Sequence, residues 1–182
     1  MKLTGRQNVL LGWVISMHGE QKRKYTGEPY WEHCYEVAQH ASEYNIKLGV
    51  EIGFCHDLIE DTECTLSDLL RFLMSSGYDN KESLFITSCV DDLTDEYTKE
   101  KYPTLNRKAR KELEAERLGN AHPDAQSVKY CDLINNTDSI CEHDPKFAKT
   151  YLKEKTVILD KMRKGHIKIL QDCEKQVQSL LN

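Results

Sequence analysis

The chain has 182 residues, of which 39% are hydrophobic, 30% charged and 8% aromatic, with a formal net charge of −5. That apolar share is enough for one sizeable core and excludes whole-chain disorder, which needs fewer apolar residues and a larger net charge. The acidic balance excludes general nucleic-acid binding, because phosphate neutralisation needs a basic surface, although a local basic pocket for one small anion remains allowed.

At the N-terminus, Met1 to Leu11 holds only the short apolar run Val9–Leu11 before Gly12 and no small-residue cleavage pattern, so no leader is read. No apolar run anywhere approaches the ~18–20 residues that span a bilayer, so no membrane partner is expected. The seven cysteines are odd in number and scattered without a C-x-x-C pair. That argues against a disulfide framework or a zinc ribbon and for a reducing, cytoplasmic location.

In chain order, residues 18–30 (HGEQKRKYTGEPY) read as a loop. Tyr30, Cys34, Val37, Ala38, Ala41 and Tyr44 then mark one face of a helix. Val50, Ile52, Phe54, Cys55, Leu58 and Ile59 are apolar nearly all round, as in a helix at the centre of a bundle. Leu66, Leu69, Leu70 and Leu73 mark the next helix, with Thr65 as N-cap and Asp68 three residues later. Residues 75–80 (SSGYDN) read as a second loop, and 105–118 (LNRKARKELEAERL) as a charged, mostly solvated helix. Pro123, after His122, opens a helix through Val128, Cys131 and Ile134. Asp144-Pro145 starts a C-terminal run to Asn182, divided at Gly165, with Phe147, Tyr151, Leu152, Val157, Ile158 and Leu159 as its buried candidates. The expected fold is therefore all-α: a helical bundle over 1–182, in a single domain.

The segment Cys55-His56-Asp57-Leu58-Ile59-Glu60-Asp61-Thr62 places four ionisable residues in six positions of the expected central helix. On a continuous helix His56 stacks over Glu60 and Asp57 over Asp61. Burying such charges costs several kcal/mol for each unpaired ion, so a partner is required. A divalent metal takes imidazole nitrogen and carboxylate oxygen together. The bland alternative is a helix end emerging into solvent, with Glu60 and Asp61 as surface charge. His33 shares a face with Val37 and Tyr44, and Asp132 lies among Val128, Cys131 and Ile134 on a face that is otherwise apolar. Two histidines and two aspartates from three helices suit manganese, iron or zinc better than calcium.

His33, His56-Asp57 and Asp132, in that order, resemble the H…HD…D pattern of HD-domain metal-dependent phosphohydrolases. The extension through Glu60-Asp61-Thr62 resembles the hydrolase branch of the RelA/SpoT homologues, in its single-domain small alarmone hydrolase type. Gly19 to His33 (GEQKRKYTGEPYWEH) is similar to that family's opening loop, and Val128 to Asn136 (VKYCDLINN) to its V-K-L-A-D-x-x-x-N segment. The resemblance implies a nucleotide pyrophosphohydrolase acting on the 3′-pyrophosphate of guanosine alarmones. It implies His33, His56, Asp57 and Asp132 as metal ligands, and Glu60 and Asp61 as the catalytic acidic pair. It also implies Arg23, Lys24, Asn136 and Ser139 as substrate contacts, with Mn2+ as the ion and Fe2+, Zn2+ or Mg2+ as alternatives.

Two positions depart from the family. Leu133 stands where a basic residue is usual, and N-x-R-T becomes Asn136-Thr137-Asp138-Ser139, so Asp138 is expected to repel an anion where arginine attracts one. The cluster Arg107, Lys108 and Arg110 either folds over the pocket to hold the leaving pyrophosphate or is a solvated helix face. Asp91, Asp92 and Asp95 read as a solvated acidic turn or as part of the pocket rim. Three functions stay open from sequence: an alarmone hydrolase, a hydrolase of another nucleotide, or a helical module that keeps the metal for stability. Intact Glu60 and Asp61 speak against the last.

Overall fold

The computed structural model describes residues 1–181. They fold as α1 (Gly5–His18), α2 (Tyr30–Glu43), α3 (Gly49–Cys55), α4 (Leu58–Asp61), α5 (Leu66–Ser75), α6 (Asn80–Leu93), α7 (Arg107–Asn120), α8 (Pro123–His143), α9 (Pro145–Lys161) and α10 (Ile167–Leu181). Among the described residues there is no strand, only an isolated bridge between Lys22 and Pro29. The all-α expectation holds. Asn182, the expected end of the C-terminal run, lies outside the described residues.

Local chemistry sets the helix starts. Thr65 accepts from the backbone N–H of Asp68, whose side chain accepts from the Thr65 N–H, so two otherwise orphaned donors are satisfied. Thr4 with Gln7 and Asp79 with Glu82 build the same device at α1 and α6. Pro123 and Pro145 each occupy the first turn of a helix, where a missing N–H costs nothing. The C-terminal run does break around Gly165, into α9 and α10.

The core is one cluster in which α2, α3 and α8 meet. Gly53 makes the close approach of α2 and α3: a Cβ there would lie 2.7 Å from Ala38 Cα. On the other side of α8, the Lys155 ammonium is buried and donates to Thr137 Oγ1 (2.8 Å), Gln176 Oε1 (2.7 Å) and the Leu133 carbonyl (3.3 Å). It ties α8, α9 and α10 together behind Asp132.

Two expectations need correction. The central helix is not continuous over Val50–Ile59; it breaks at His56 and Asp57, where Asp57 has φ −101° and ψ 0°. On an unbroken helix adjacent side chains diverge by about 100°. The break lets neighbouring His56 and Asp57 face the same point. Val157 is 38% exposed rather than buried, because it lines an open groove between α7 and α9. The charged helix at 105–118 is solvated on one face only, since Glu114, Ala115 and Leu118 are buried.

Candidate metal centre and adjoining cleft

Three elements bring four side chains to one point. His33 comes from α2, His56 and Asp57 from the α3–α4 junction, and Asp132 from α8. His33 Nε2 lies 3.2 Å from Asp132 Oδ1 and 3.6 Å from Asp57 Oδ2. His56 Nε2 lies 3.1 Å from Asp57 Oδ2 and 3.7 Å from Asp132 Oδ1. Both histidines are 1% exposed and Asp132 is 3% exposed.

The hydrogen bonds assign the tautomers. His56 Nδ1 is 2.8 Å from the Gly53 carbonyl, which only accepts, so Nδ1 carries the proton. His33 Nδ1 is 2.7 Å from Asn135 Oδ1. In the neutral ring each Nε2 then presents a lone pair, and no hydrogen bond of good geometry reaches either buried Nε2. An outer donor bond with the inner nitrogen free is how a metal-ligating histidine is held. The donor set therefore fits a divalent ion, and among the described residues His33, His56 and Asp57 have ligand atoms within 4.8 Å of one another.

Charge balance agrees. Burial opposes ionisation of Asp57 and Asp132, yet the facing histidines, with Lys129 for Asp132, outweigh it and hold both carboxyls well below the usual range. Burial likewise opposes protonation of His33 and His56, and the carboxylates outweigh it and raise both. Such a cluster holds a positive charge, as protons or as a cation.

Three partners of the ligands are not marked in the sequence: Asn135 at His33, Tyr30 and Lys129. Tyr30 donates to Asp57 Oδ2 at 2.7 Å, and Lys129 Nζ lies 2.8 Å from Asp132 Oδ2. Lys129 precedes Asp132 by one helical turn, a spacing that signals a shared face but not which partner lies there.

A cleft of about 270 Å³ opens beside Asp132, lined by Glu60, Asp95, Arg107, Lys111, Lys129 and Asn136 among others. Glu60 lies at its mouth, where its Oε1 accepts from the Asp95 N–H at 2.6 Å. Crowding removes part of its solvent and the Asp95 charge repels its own, so the carboxyl is pushed up to about 7 against the pull of Lys129. Asp61 is exposed at the end of α4 and lines neither this cleft nor the next cavity. That cavity, about 140 Å³, is bounded by Arg23, Lys24, Tyr25, Tyr30, His33, Asn136, Ser139 and Ile140. Asn136 borders both spaces and donates to Asp132 Oδ1 at 2.5 Å. The α7–α9 groove near Val157 is larger, about 420 Å³, but is lined by surface side chains away from the histidines.

The loop carrying Arg23 and Lys24 is pinned. Arg23 N–H donates to the Glu28 carbonyl, Gly27 turns the chain at φ 73°, and Tyr30 N–H donates back to Gln21. Asp138 does not meet the expectation of an anion-repelling wall: it is exposed and accepts from Gln176 Nε2 at 2.7 Å, facing α10 rather than the cavity. The basic cluster separates. Arg107 lines the cleft while paired with Glu154, Lys108 is exposed beside Glu112, and Arg110 donates to the Leu105 carbonyl. The expected acidic turn is not one: Asp91 and Asp92 belong to the last turn of α6, where Asp92 accepts from the His122 N–H, and only Asp95, beyond the helix, reaches the cleft.

No family model matches the sequence. A solved structure described as a metazoan ortholog of SpoT that hydrolyzes ppGpp and plays a role in starvation responses superposes with a TM-score of 0.78, over 98% of this chain and 97% of that one, at 17% identity. The chain has the fold of the HD-domain hydrolases. A curated relative from Mycoplasma pneumoniae, a probable guanosine-3′,5′-bis(diphosphate) 3′-pyrophosphohydrolase, is 33% identical over 137 residues, which is 71% of this chain. The chain spans only 17% of that relative's length. The family resemblance read from the sequence agrees with both comparisons, with the solved structure in fold and with the curated relative in name. No helix among the described residues is long and apolar enough to cross a membrane.

Proposed function

We propose that the chain is one metal-dependent phosphohydrolase domain that removes pyrophosphate from the ribose 3′ position of a guanosine bis(diphosphate). The carrying observation is the pair of buried Nε2 atoms, each freed by a bond at Nδ1 and each turned toward Asp57 and Asp132. The relative's name supplies the substrate class, and the basic loop beside His33 is compatible with it.

In this reading His33, His56, Asp57 and Asp132 hold one divalent ion, manganese in the first place, with iron, zinc or magnesium as alternatives. That ion supplies a Lewis acid for a phosphoryl oxygen and lowers the pKa of a bound water. Glu60 takes the proton of the attacking water, for which a carboxyl near 7 is suited at neutral pH. The water oxygen bonds to phosphorus, the bond from phosphorus to O3′ breaks, and O3′ leaves with the proton that Glu60 had taken up. Asp61 enters this reading only through the family resemblance, as the second acid of the pair, since it lines neither space. Arg23 and Lys24 hold the anionic end of the nucleotide, while Asn136 and Ser139 border the same cavity. Lys129 offsets the charge of Asp132 and Glu60. With Asp138 turned to Gln176, nothing at that position opposes a polyphosphate. The seven cysteines, all free, support a cytoplasmic location.

The test is a phosphate and pyrophosphate release screen with added Mn2+ across nucleotides. Pyrophosphate release from guanosine 3′,5′-bis(diphosphate), absent with chelator, is expected. Release from some other nucleotide would keep the chemistry and overturn the substrate; release from none would overturn both.

A further inference from the structure

His33 faces a choice of tautomer that its inner neighbours bias the wrong way. Asp132 and Asp57 lie 3.2 and 3.6 Å from Nε2, and two carboxylates favour a proton on that nitrogen. A proton there occupies the lone pair that a metal needs. At 1% exposure the ring has little access to solvent, so the outer contact at Nδ1 must decide.

That contact is Asn135, whose Oδ1 lies 2.7 Å from Nδ1. An asparagine amide is ambiguous by itself: rotated by half a turn, it would offer Nδ2 and demand an unprotonated Nδ1. Glu36 removes the ambiguity. Its Oε2 lies 2.6 Å from Asn135 Nδ2 and is an acceptor only, so the amide must give its N–H to Glu36 and its oxygen to His33. Arg23 Nη1 stands 3.5 Å from the same Glu36 oxygen. Both residues lie three positions beyond a proposed ligand, Glu36 after His33 on α2 and Asn135 after Asp132 on α8. Each helix therefore supplies one ligand and, one turn later, one part of the lock.

We propose that Asn135, oriented by Glu36, is a positioning residue that fixes the tautomer and direction of His33 and so tightens the metal centre. The proposal rests on the reading of His33 as a ligand. Outer partners of metal-bound histidines typically contribute about 10–100-fold in affinity.

The experiment uses the full chain and Mn2+ as the probe, with affinity from calorimetry and the His33 tautomer from nitrogen-15 NMR of the metal-free protein, taken at a pH where the ring is neutral. Asn135→Leu is expected to weaken Mn2+ by about 10–100-fold and to move the His33 proton from Nδ1 to Nε2. Glu36→Gln, which lets the amide at 135 turn over, is expected to weaken it less. The double variant Glu36→Gln with Asn135→Asp restores a donor facing an acceptor, and so should recover both affinity and tautomer; a merely structural role for the pair would give no such recovery. His33→Ala separates the two layers. If it abolishes binding while Asn135→Leu leaves affinity and tautomer unchanged, the positioning role is overturned and the ligand reading stands. If His33→Ala leaves affinity unchanged, the ligand reading falls, and the positioning role falls with it.

Discussion

Replacing Glu60 by glutamine probes the proposed chemistry with little disturbance of the fold. The carboxyl makes one bond that matters structurally, accepting from the Asp95 N–H at 2.6 Å, and an amide oxygen can accept it equally. A charged acceptor is worth about 1 kcal/mol more than a neutral one. Loss of that excess is offset by removing a charge that burial, and after it repulsion from Asp95 and Asp57, disfavours enough to raise the carboxyl to about 7. The melting midpoint should therefore move by no more than about 2–4 °C, the shift that 1 kcal/mol produces in a chain of this size. Metal content should not change, because the clustered ligand atoms belong to His33, His56 and Asp57, with Asp132 against them. Turnover should collapse. A positioned general base contributes about 10²–10⁴-fold, equivalent to roughly 3–5 kcal/mol of barrier. The assay pairs initial rates at saturating Mn2+ with metal analysis and a thermal melt on the same preparation. Rates within about threefold of the parent would refute the base assignment. Parallel loss of metal and activity would instead make Glu60 a ligand.

Other outcomes follow from single contacts. If Glu60 acts as an ionised base, kcat/KM at saturating Mn2+ should rise with pH along a limb at or below about 7, since a bound cation lowers that carboxyl further; a rate that falls steadily from pH 5 to 7 would contradict this. Gly53→Ala places a Cβ 2.7 Å from Ala38 Cα and 2.8 Å from Ala38 N, backbone that cannot swing aside. Overpacking of this kind costs about 1–3 kcal/mol, read as a lower melting midpoint, and an unchanged midpoint would mean that α2 and α3 separate freely. Lys155→Met removes the ammonium shared by Thr137, Gln176 and the Leu133 carbonyl. Leaving buried acceptors unpaired costs about 1–3 kcal/mol in a chemical-denaturation curve, and a variant more stable than the parent would place burial of the charge above its bonds.

Much of the fold is legible because its signals are local. Thr65 with Asp68, Pro123, Pro145 and Gly165 each mark a boundary through chemistry confined to a few neighbouring residues. The four residues gathered at the centre stand out for a related reason: ionisable groups within apolar helical stretches demand a compensating partner. The break at His56–Asp57 carries no Gly or Pro and becomes visible only once both side chains face one point. α1 and α6 went unmarked, since Leu10 and Val14 share α1 with exposed Val9, and Ile86 and Val90 share α6 with exposed Leu84. Tyr30, Glu36, Asn135 and Lys129 look like ordinary polar residues in sequence. The partners of Tyr30 and Asn135 are 27 and 102 residues away, and only packing of α2 against α8 and the α3–α4 junction pairs them. Asp138 misled for the same reason, because the helix turns it toward Gln176 of α10.

The most direct measurement is anomalous diffraction from crystals soaked in Mn2+. A single strong peak enclosed by His33 Nε2, His56 Nε2 and carboxylate oxygens of Asp57 and Asp132 is expected, and it should vanish in His56→Ala. No peak there at saturating Mn2+, with the two Nε2 atoms bonded only to the aspartates, would contradict a metal centre at this point in the fold.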